Sequence, residues 1–307
     1  MSDANKQQDK VQTTGHVWDG DLQEFNNPLP NWWLWGFYAS VAFAIIYWVI
    51  YPAWPVGRDY TKGLFNTISY QVDGEQRSSH WNTRALLLKD MQEGEEARRM
   101  QAYLQRVAAA SYEQILADPE MMAFTRSVAK GLFGDNCAAC HGSGGGGVIG
   151  LFPNLADDDW LWGGRVEDIQ QTISGGRNGF MPAFGRAFSE EQLDDLASFV
   201  LSLSGQEVDA ERAARGRELF TGEGGGCYYC HTKAGTGLKS QGAANLTDSI
   251  WTIADVPGQN DLEGRLAVVK QVIRNGVSRV MPSWKARLGE TQIKLLTVYV
   301  HELGGGQ

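Results

Sequence analysis

Cys137-Ala138-Ala139-Cys140-His141 and Cys227-Tyr228-Tyr229-Cys230-His231 are two copies of one spelling, C-x-x-C-H, and they hold all four cysteines of the 307-residue chain. Two thiols three residues apart lie on one helical turn, where they can form thioethers with the two vinyl groups of a haem. The adjacent histidine then presents an imidazole to the iron. Other uses of paired cysteines fit less well. A zinc ribbon sets its two pairs roughly 15–20 residues apart, whereas 86 residues separate Cys140 from Cys227. A thioredoxin-like pair needs a βαβ setting, which the pattern lacks. A disulfide between cysteines this close is strained.

Working outward, the chain beyond residue 118 repeats itself. The first copy runs KGLFGDNCAACHG, FPNLADDDWLWGG, GFMPAF and a terminal amphipathic segment; the second runs RGRELF, CYYCHT, ANLTDSIW, RVMPSW and another such segment. Asn154-Leu155 and Trp160 return 91 positions later as Asn245-Leu246 and Trp251, and Met181-Pro182 returns 100 positions later as Met281-Pro282. The second copy thus carries an insertion, VPGQNDLEG at 256–264, before its methionine. Met181 and Met281 are the candidate sixth ligands. A thioether raises the haem potential and closes the iron to outside ligands, and the following proline holds the loop extended. Met91, Met100 and Met121 lack this context and read as gap-fillers. His301, on the last helix, reads as a surface residue without a ligand role.

Each copy is expected to open and close with helices. Asp118 with Pro119 forms a start signal, as does Ser189 with Gln192. Leu193, Leu196, Val200 and Leu203 recur at helical spacing, as do Ile293, Leu296, Val300 and Leu303, and Gly205 and Gly304 end the two runs. Gly144 to Gly147 lack the spacing of a phosphate loop and read as a flexible loop beside the haem edge. With no strand recognised, the fold class expected is all-α: one N-terminal transmembrane helix and two tandem class I cytochrome c domains.

The remaining segments divide as follows. Residues 1–30 are polar and lack the early apolar core of a signal peptide. Trp32 to Tyr51 reads WWLWGFYASVAFAIIYWVIY, without a charge and belted by aromatics at both ends, so a membrane helix is expected over 31–54. Lys6 and Lys10 before it balance Arg58 and Lys62 after it, so charge bias sets no orientation. Residues 55–117 read as a helical connector, 118–206 as the first cytochrome domain and 207–307 as the second. The net charge of −9 argues against nucleic-acid binding and leaves room for a basic protein partner. Covalent haem attachment takes place outside the cytoplasm in bacteria. The haem domains are therefore expected to be periplasmic on the bacterial inner membrane, with the N-terminus cytoplasmic. Asp157, Asp158 and Asp159, with Glu190, Glu191, Asp194 and Asp195, form an acidic surface expected to steer a basic donor.

GHVWDGDLQEFNNPLPNWW at 15–33 and FPNLADDDWLWGG at 152–164, together with the two haem motifs, carry a resemblance over nearly the whole chain. The sequence resembles the dihaem subunit (subunit III) of cbb3-type cytochrome c oxidase. The resemblance implies two covalently bound haem c groups, the first served by Cys137, Cys140, His141 and Met181, the second by Cys227, Cys230, His231 and Met281. It implies electron transfer from a soluble cytochrome c to the monohaem subunit and on to the haem–copper subunit that reduces oxygen, with no catalysis in this chain. Some members have an extra upstream membrane helix that is missing here. A free-standing anchored dihaem carrier is the alternative. A dihaem peroxidase needs one displaceable iron ligand, which two matching Met-Pro segments argue against.

Overall fold

The computed structural model describes residues 12–304, so Lys6 and Lys10 lie outside the described residues. The chain clusters into two compact units, residues 1–99 and 100–307.

The first unit corrects the all-α expectation. It holds strands β1 (Thr13–Trp18) and β2 (Leu22–Phe25), helix α1 (Asn31–Ile50), β3 (Pro55–Val56), β4 (Asp59–Tyr60), β5 (Thr67–Val72), β6 (Glu75–His80) and helix α2 (Thr83–Glu93). The strands pair antiparallel as β1–β2, β3–β4 and β5–β6. Two of these hairpins turn on Asp-Gly. Asp19 and Gly20, then Asp73 and Gly74, all sit at positive φ, the geometry of the turn whose twist matches paired strands. The supposed helical connector therefore carries two short hairpins, β3–β4 and β5–β6, and becomes helical only at Thr83, where Asn82 accepts from Ala85 N. Ile68 of β5 and Ala85 of α2 are buried, and Gln92 brackets the backbone of Gln71 with bonds of 3.0 and 2.7 Å.

Helix α1 carries no charged residue and has no buried residue. At 1.5 Å per residue its 20 residues match a hydrocarbon core, and an apolar surface on every side suits lipid rather than a one-sided protein core. It ends at Ile50, short of the expected 54, because Pro52 cannot continue it and Pro55 opens β3.

The chain passes into the second unit within α3 (Glu95–Ala109), and that unit continues with α4 (Tyr112–Ala117), α5 (Pro119–Asn136), α6 (Ala138–His141), α7 (Val166–Gly175), β7 (Arg177–Met181), α8 (Glu190–Leu203), α9 (Ala210–Thr221), α10 (Tyr228–His231), a 3-10 turn (Lys239–Gln241), α11 (Leu262–Asn275), β8 (Val277–Met281) and α12 (Glu290–His301). Asp118 accepts from Glu120 N and Met121 N, and Ser189 and Gln192 form a reciprocal capping box, as their spelling foretells. Gly205, at φ 79°, follows the end of α8. Of the three gap-filling methionines only Met121 is buried; Met91 and Met100 are exposed.

The repeats do not pack as they run in sequence. Helix α8, from the first copy, lies against α9 and α11 of the second. Helix α12, from the second copy, lies against α5 and α7 of the first, and Lys294 on it donates to Ala108 O at 2.7 Å and Ala110 O at 2.9 Å at the end of α3. Leu193, Leu196, Phe199, Val200 and Leu201 of α8 are buried in one core with Phe220, Val269 and Ile273. At about 2 kcal/mol per large apolar side chain, those five from α8 contribute roughly 10 kcal/mol before chain entropy. Ile293, Leu296 and Val300 of α12 share a second core with Phe133, Ile169 and Ile173. Between the two cores β7 and β8 pair antiparallel, with Arg177 opposite Met281 and Met181 opposite Val277.

Candidate haem sites

Each C-x-x-C-H forms a tight helical turn, directly after α5 in the first copy and beyond residues 222–226 after α9 in the second. His141 N bonds Cys137 O at 3.0 Å and His231 N bonds Cys227 O at 2.9 Å. All four cysteines are free; Cys137 and Cys227 are half-buried, Cys140 and Cys230 exposed. Burial pushes the thiols of Cys137 and Cys227 up to about 11.

Both imidazoles are oriented by a backbone carbonyl. His141 Nδ1 lies 3.1 Å from Pro153 O and His231 Nδ1 lies 3.0 Å from Ala244 O. That leaves Nε2 of each ring, which has no hydrogen-bond partner among the described residues, as the atom free to coordinate. Desolvation lowers the pKa of both histidines, which favours the neutral imidazole a metal needs. The repeated Asn-Leu explains how the carbonyl is held. Asn154 Oδ1 accepts from Ala156 N, and Asn245 Oδ1 accepts from Thr247 N, a local turn that fixes the preceding peptide. Leu155 N and Leu246 N then bond Gly145 O and Gly235 O at 2.6 and 2.7 Å. The glycine stretch read as a flexible loop is thus a pinned turn. At Gly147 and Gly237, both at positive φ, an added Cβ would lie 2.5 Å from Pro153 O and 2.7 Å from Ala244 O, so a side chain would displace the carbonyl that orients the histidine.

The surroundings fit a haem. One apolar core takes in Cys137, Ala138, Leu155, Trp160 and Met281, and the other takes in Cys227, Tyr228, Leu246, Trp251 and Met181. Trp160 Nε1 is a buried donor without an acceptor among the described residues, a place where a haem carboxylate would bond. Repetition at Trp251 marked this tryptophan in the sequence, but nothing there revealed its donor role. Nor did the sequence single out Pro153 and Ala244, whose contribution is a backbone carbonyl. His301 is only partly exposed, with Nδ1 3.4 Å from Glu302 Oε1.

The acidic surface is weaker than its composition implies. Lys270 pairs with Glu190 at 3.1 Å and with Asp194 at 2.6 Å, Arg274 also pairs with Glu190, and Arg215 pairs with Asp195. Burial, reinforced by Asp248 and Asp157, pushes Asp159 up to about 6; burial also raises Asp157. Within the 157–159 cluster Asp158 is exposed, while Asp157 and Asp159 are partly buried.

Two family models match the chain. Residues 10–58 match the N-terminal domain of cytochrome oxidase-cbb3, FixP, and residues 127–200 and 211–300 match cytochrome c oxidase, cbb3-type, subunit III. The chain is 43% identical to the Cbb3-type cytochrome c oxidase subunit FixP of Azorhizobium caulinodans, over 96% of this chain and 94% of that one. It is 39% identical to the Cbb3-type cytochrome c oxidase subunit CcoP of Azospirillum brasilense, over 97% and 96%. It is 38% identical to the subunit CcoP of Cereibacter sphaeroides, over 96% and 95%. With haem-attachment motifs in pinned turns, one free-standing apolar helix and likeness along nearly its full length, the chain belongs to the family of cbb3-type cytochrome c oxidase subunit III, membrane-anchored cytochromes c.

Proposed function

We propose that this chain is the electron-entry subunit of a cbb3-type terminal oxidase and carries two covalent haem c groups, one on Cys137 and Cys140, the other on Cys227 and Cys230. The observation that carries this reading is the duplication of the entire histidine device: two C-x-x-C-H turns, two carbonyl-pinned Nδ1 atoms and two methionine strands. When bound, haem at these residues would supply one-electron chemistry between ferric and ferrous iron. The protein's part is to hold each haem in a mostly apolar pocket, with His141 and His231 as proximal ligands and Met181 and Met281 filling the sixth positions. Oxygen reduction belongs to another subunit.

The partners of this reading are a soluble cytochrome c donor, the monohaem subunit, the catalytic haem–copper subunit and the lipid around α1; it includes no nucleic acid. Covalent attachment outside the cytoplasm favours a cytoplasmic N-terminus and places both haem domains of this reading in the periplasm. Because Glu190, Asp194 and Asp195 are already paired, donor docking is expected to rest more on apolar surface near the haem edges than on charge.

Two measurements test the proposal. After denaturing electrophoresis the chain should retain haem-dependent peroxidase stain equivalent to two haems; stain lost on unfolding defeats it. Mild detergent extraction should bring the chain out with haem b and copper; a chain that elutes alone supports the free-standing carrier instead.

A further inference from the structure

We propose that the loop after α1 is a second membrane contact: Leu64 and Phe65 rest in the lipid interface at the end of α1 and hold the chain's exit from the membrane at one depth. The inference rests on α1 as the membrane span and goes beyond the electron-transfer role.

Phe65 is the residue that needs explaining. It stands at φ 59°, a region that glycine and asparagine enter readily and a bulky side chain rarely does. Gly63, two residues earlier, has a reason for its positive φ: an added Cβ would strike Ile50 O and lie 2.8 Å from Ile50 C. That reason does not select a phenylalanine at 65. Its side chain is fully exposed, at 103%, and Leu64 beside it is 55% exposed. A strained backbone that carries an aromatic ring clear of the described residues is accounted for when the ring packs on something outside the chain.

Position decides what that is. Leu64 N donates to Val49 O at 3.0 Å, and Val49 is one residue before the last of α1. The loop therefore returns to the helix's final turn, and Phe65 lies one Cα step, about 3.8 Å, beyond Leu64. With the 20 residues of α1 filling the hydrocarbon layer, that final turn marks its edge, and the two side chains reach the zone where headgroups meet acyl chains. The fold keeps them there. Trp54 and Thr61 exchange bonds of 3.0 and 2.8 Å around the β3–β4 hairpin, Trp81 N bonds Asn66 O at 2.8 Å, and the Trp81 ring meets Tyr51 edge-on at 5.2 Å.

The chemistry of the loop suits lipid. Trp54, Val56 and Tyr60 are exposed together with Leu64 and Phe65. Trp54 packs edge-on against Trp48 of α1 at 4.8 Å, so the apolar surface of the helix continues into the loop. The one carboxylate between residues 52 and 66, Asp59, is bonded to Lys62, and Arg58 is exposed to meet phosphate. Aromatic rings beside a basic residue, with the negative charge paired, are the composition of an interfacial anchor.

Depth is measured on the haem-loaded full chain, whose four native cysteines are then thioethers, in phosphatidylcholine vesicles. A nitroxide on Phe65→Cys should collide with oxygen, which concentrates in lipid, severalfold more often than with a water-soluble nickel chelate. A label on Ala42→Cys in mid-α1 checks the span. If the Ala42 label meets the nickel chelate, the membrane reading of α1 falls; if it is shielded while the label at 65 meets nickel freely, the second contact alone is wrong. A measurement in native membranes needs no thiol. With p-benzoylphenylalanine in place of Phe65, irradiation should give an adduct with the mass of the chain plus a phospholipid. An adduct with another polypeptide means that a partner subunit covers the ring, and recovery of the chain without any adduct means that the ring faces water; either result overturns the proposal.

Discussion

Gly176→Ala is a sharp test of how the repeats interlock. Gly176 ends α7 with φ 71° and ψ −179°, a region open almost only to glycine, and a residue forced into it costs about 1–3 kcal/mol. A Cβ there would also lie 2.7 Å from Ser283 N and 2.8 Å from Pro282 C, with Met281 O closer still. These are backbone atoms held between the end of β8 and the Trp284 N–Ile173 O and Ser283 Oγ–Ser174 O bonds, so they cannot swing aside as a side-chain tip would. The two effects together should destabilise the second unit by at least about 3 kcal/mol, lowering Tm by roughly 6–12 °C for a unit of this size. Gly179→Ala is the control: it sits in the middle of β7, its nearest foreign atom is Arg279 O at 3.9 Å, and its Tm should stay within about 2 °C of the parent. Circular-dichroism melting of the haem-loaded full chain measures both. If the two variants melt together, Gly176 is not pressed against the second repeat's methionine loop and the interlock described here is wrong.

Asp195 is 4% exposed and takes both bonds from Arg215, at 2.9 and 2.8 Å, so Arg215→Ala strands a buried carboxylate and should lose about 2–3 kcal/mol in a urea titration. The double variant with Asp195→Ala should lose less than that single change, and a larger loss would contradict the argument. Gly131→Ala, exposed inside α5 with no foreign atom within 4 Å of its Cβ, should gain about 0.5–1 kcal/mol and raise the urea midpoint. Burial raises Asp159 from 3.8 to about 6, so between those values the unfolded chain releases a proton that the folded chain keeps, and stability falls as pH rises through that window. Asp159→Asn should remove that slope, matching the parent near pH 4 and exceeding it by about 1–2 kcal/mol at pH 7 after allowance for partial exposure; thermal melts across that range that stay parallel would refute it.

The local turns around the two C-x-x-C-H motifs were far more legible than the architecture around them. C-x-x-C-H states its own geometry, and the capping residues Asp118, Ser189 and Gln192 act through bonds two or three positions away, within reach of a linear reading. The hairpins were missed although Asp19-Gly20 and Asp73-Gly74 spell them, because β1 and β2 are exposed and β6 is polar; only β5 alternates, with Ile68, Tyr70 and Val72 on its inner face, a signal of three residues on one short strand. Exchange between the repeats is harder to see. Equivalent helices carry equivalent apolar stripes, so α8 could cover either core by periodicity alone. The deciding feature is mundane: only residues 204–209 join α8 to α9, and so short a connection lays consecutive helices side by side. Spacing from histidine to methionine, 40 residues in one copy and 50 in the other, carries no information about which core each methionine enters.

Because α12 roofs the core beside Cys137, the attachment site made first during synthesis is the one finished last. When residues 118–176 have emerged, their helices present a half-core with nothing to close it, and the missing half lies more than a hundred residues downstream. The second core, by contrast, is complete as soon as α11 has been made. Closing so distant a contact is entropically slow and leaves apolar surface exposed meanwhile. A chain terminated shortly after residue 276 would therefore keep a whole second core and an unfinished first one, and damage near the C-terminus would be felt beside Cys137 and not beside Cys227, where the sequence repeat would place it.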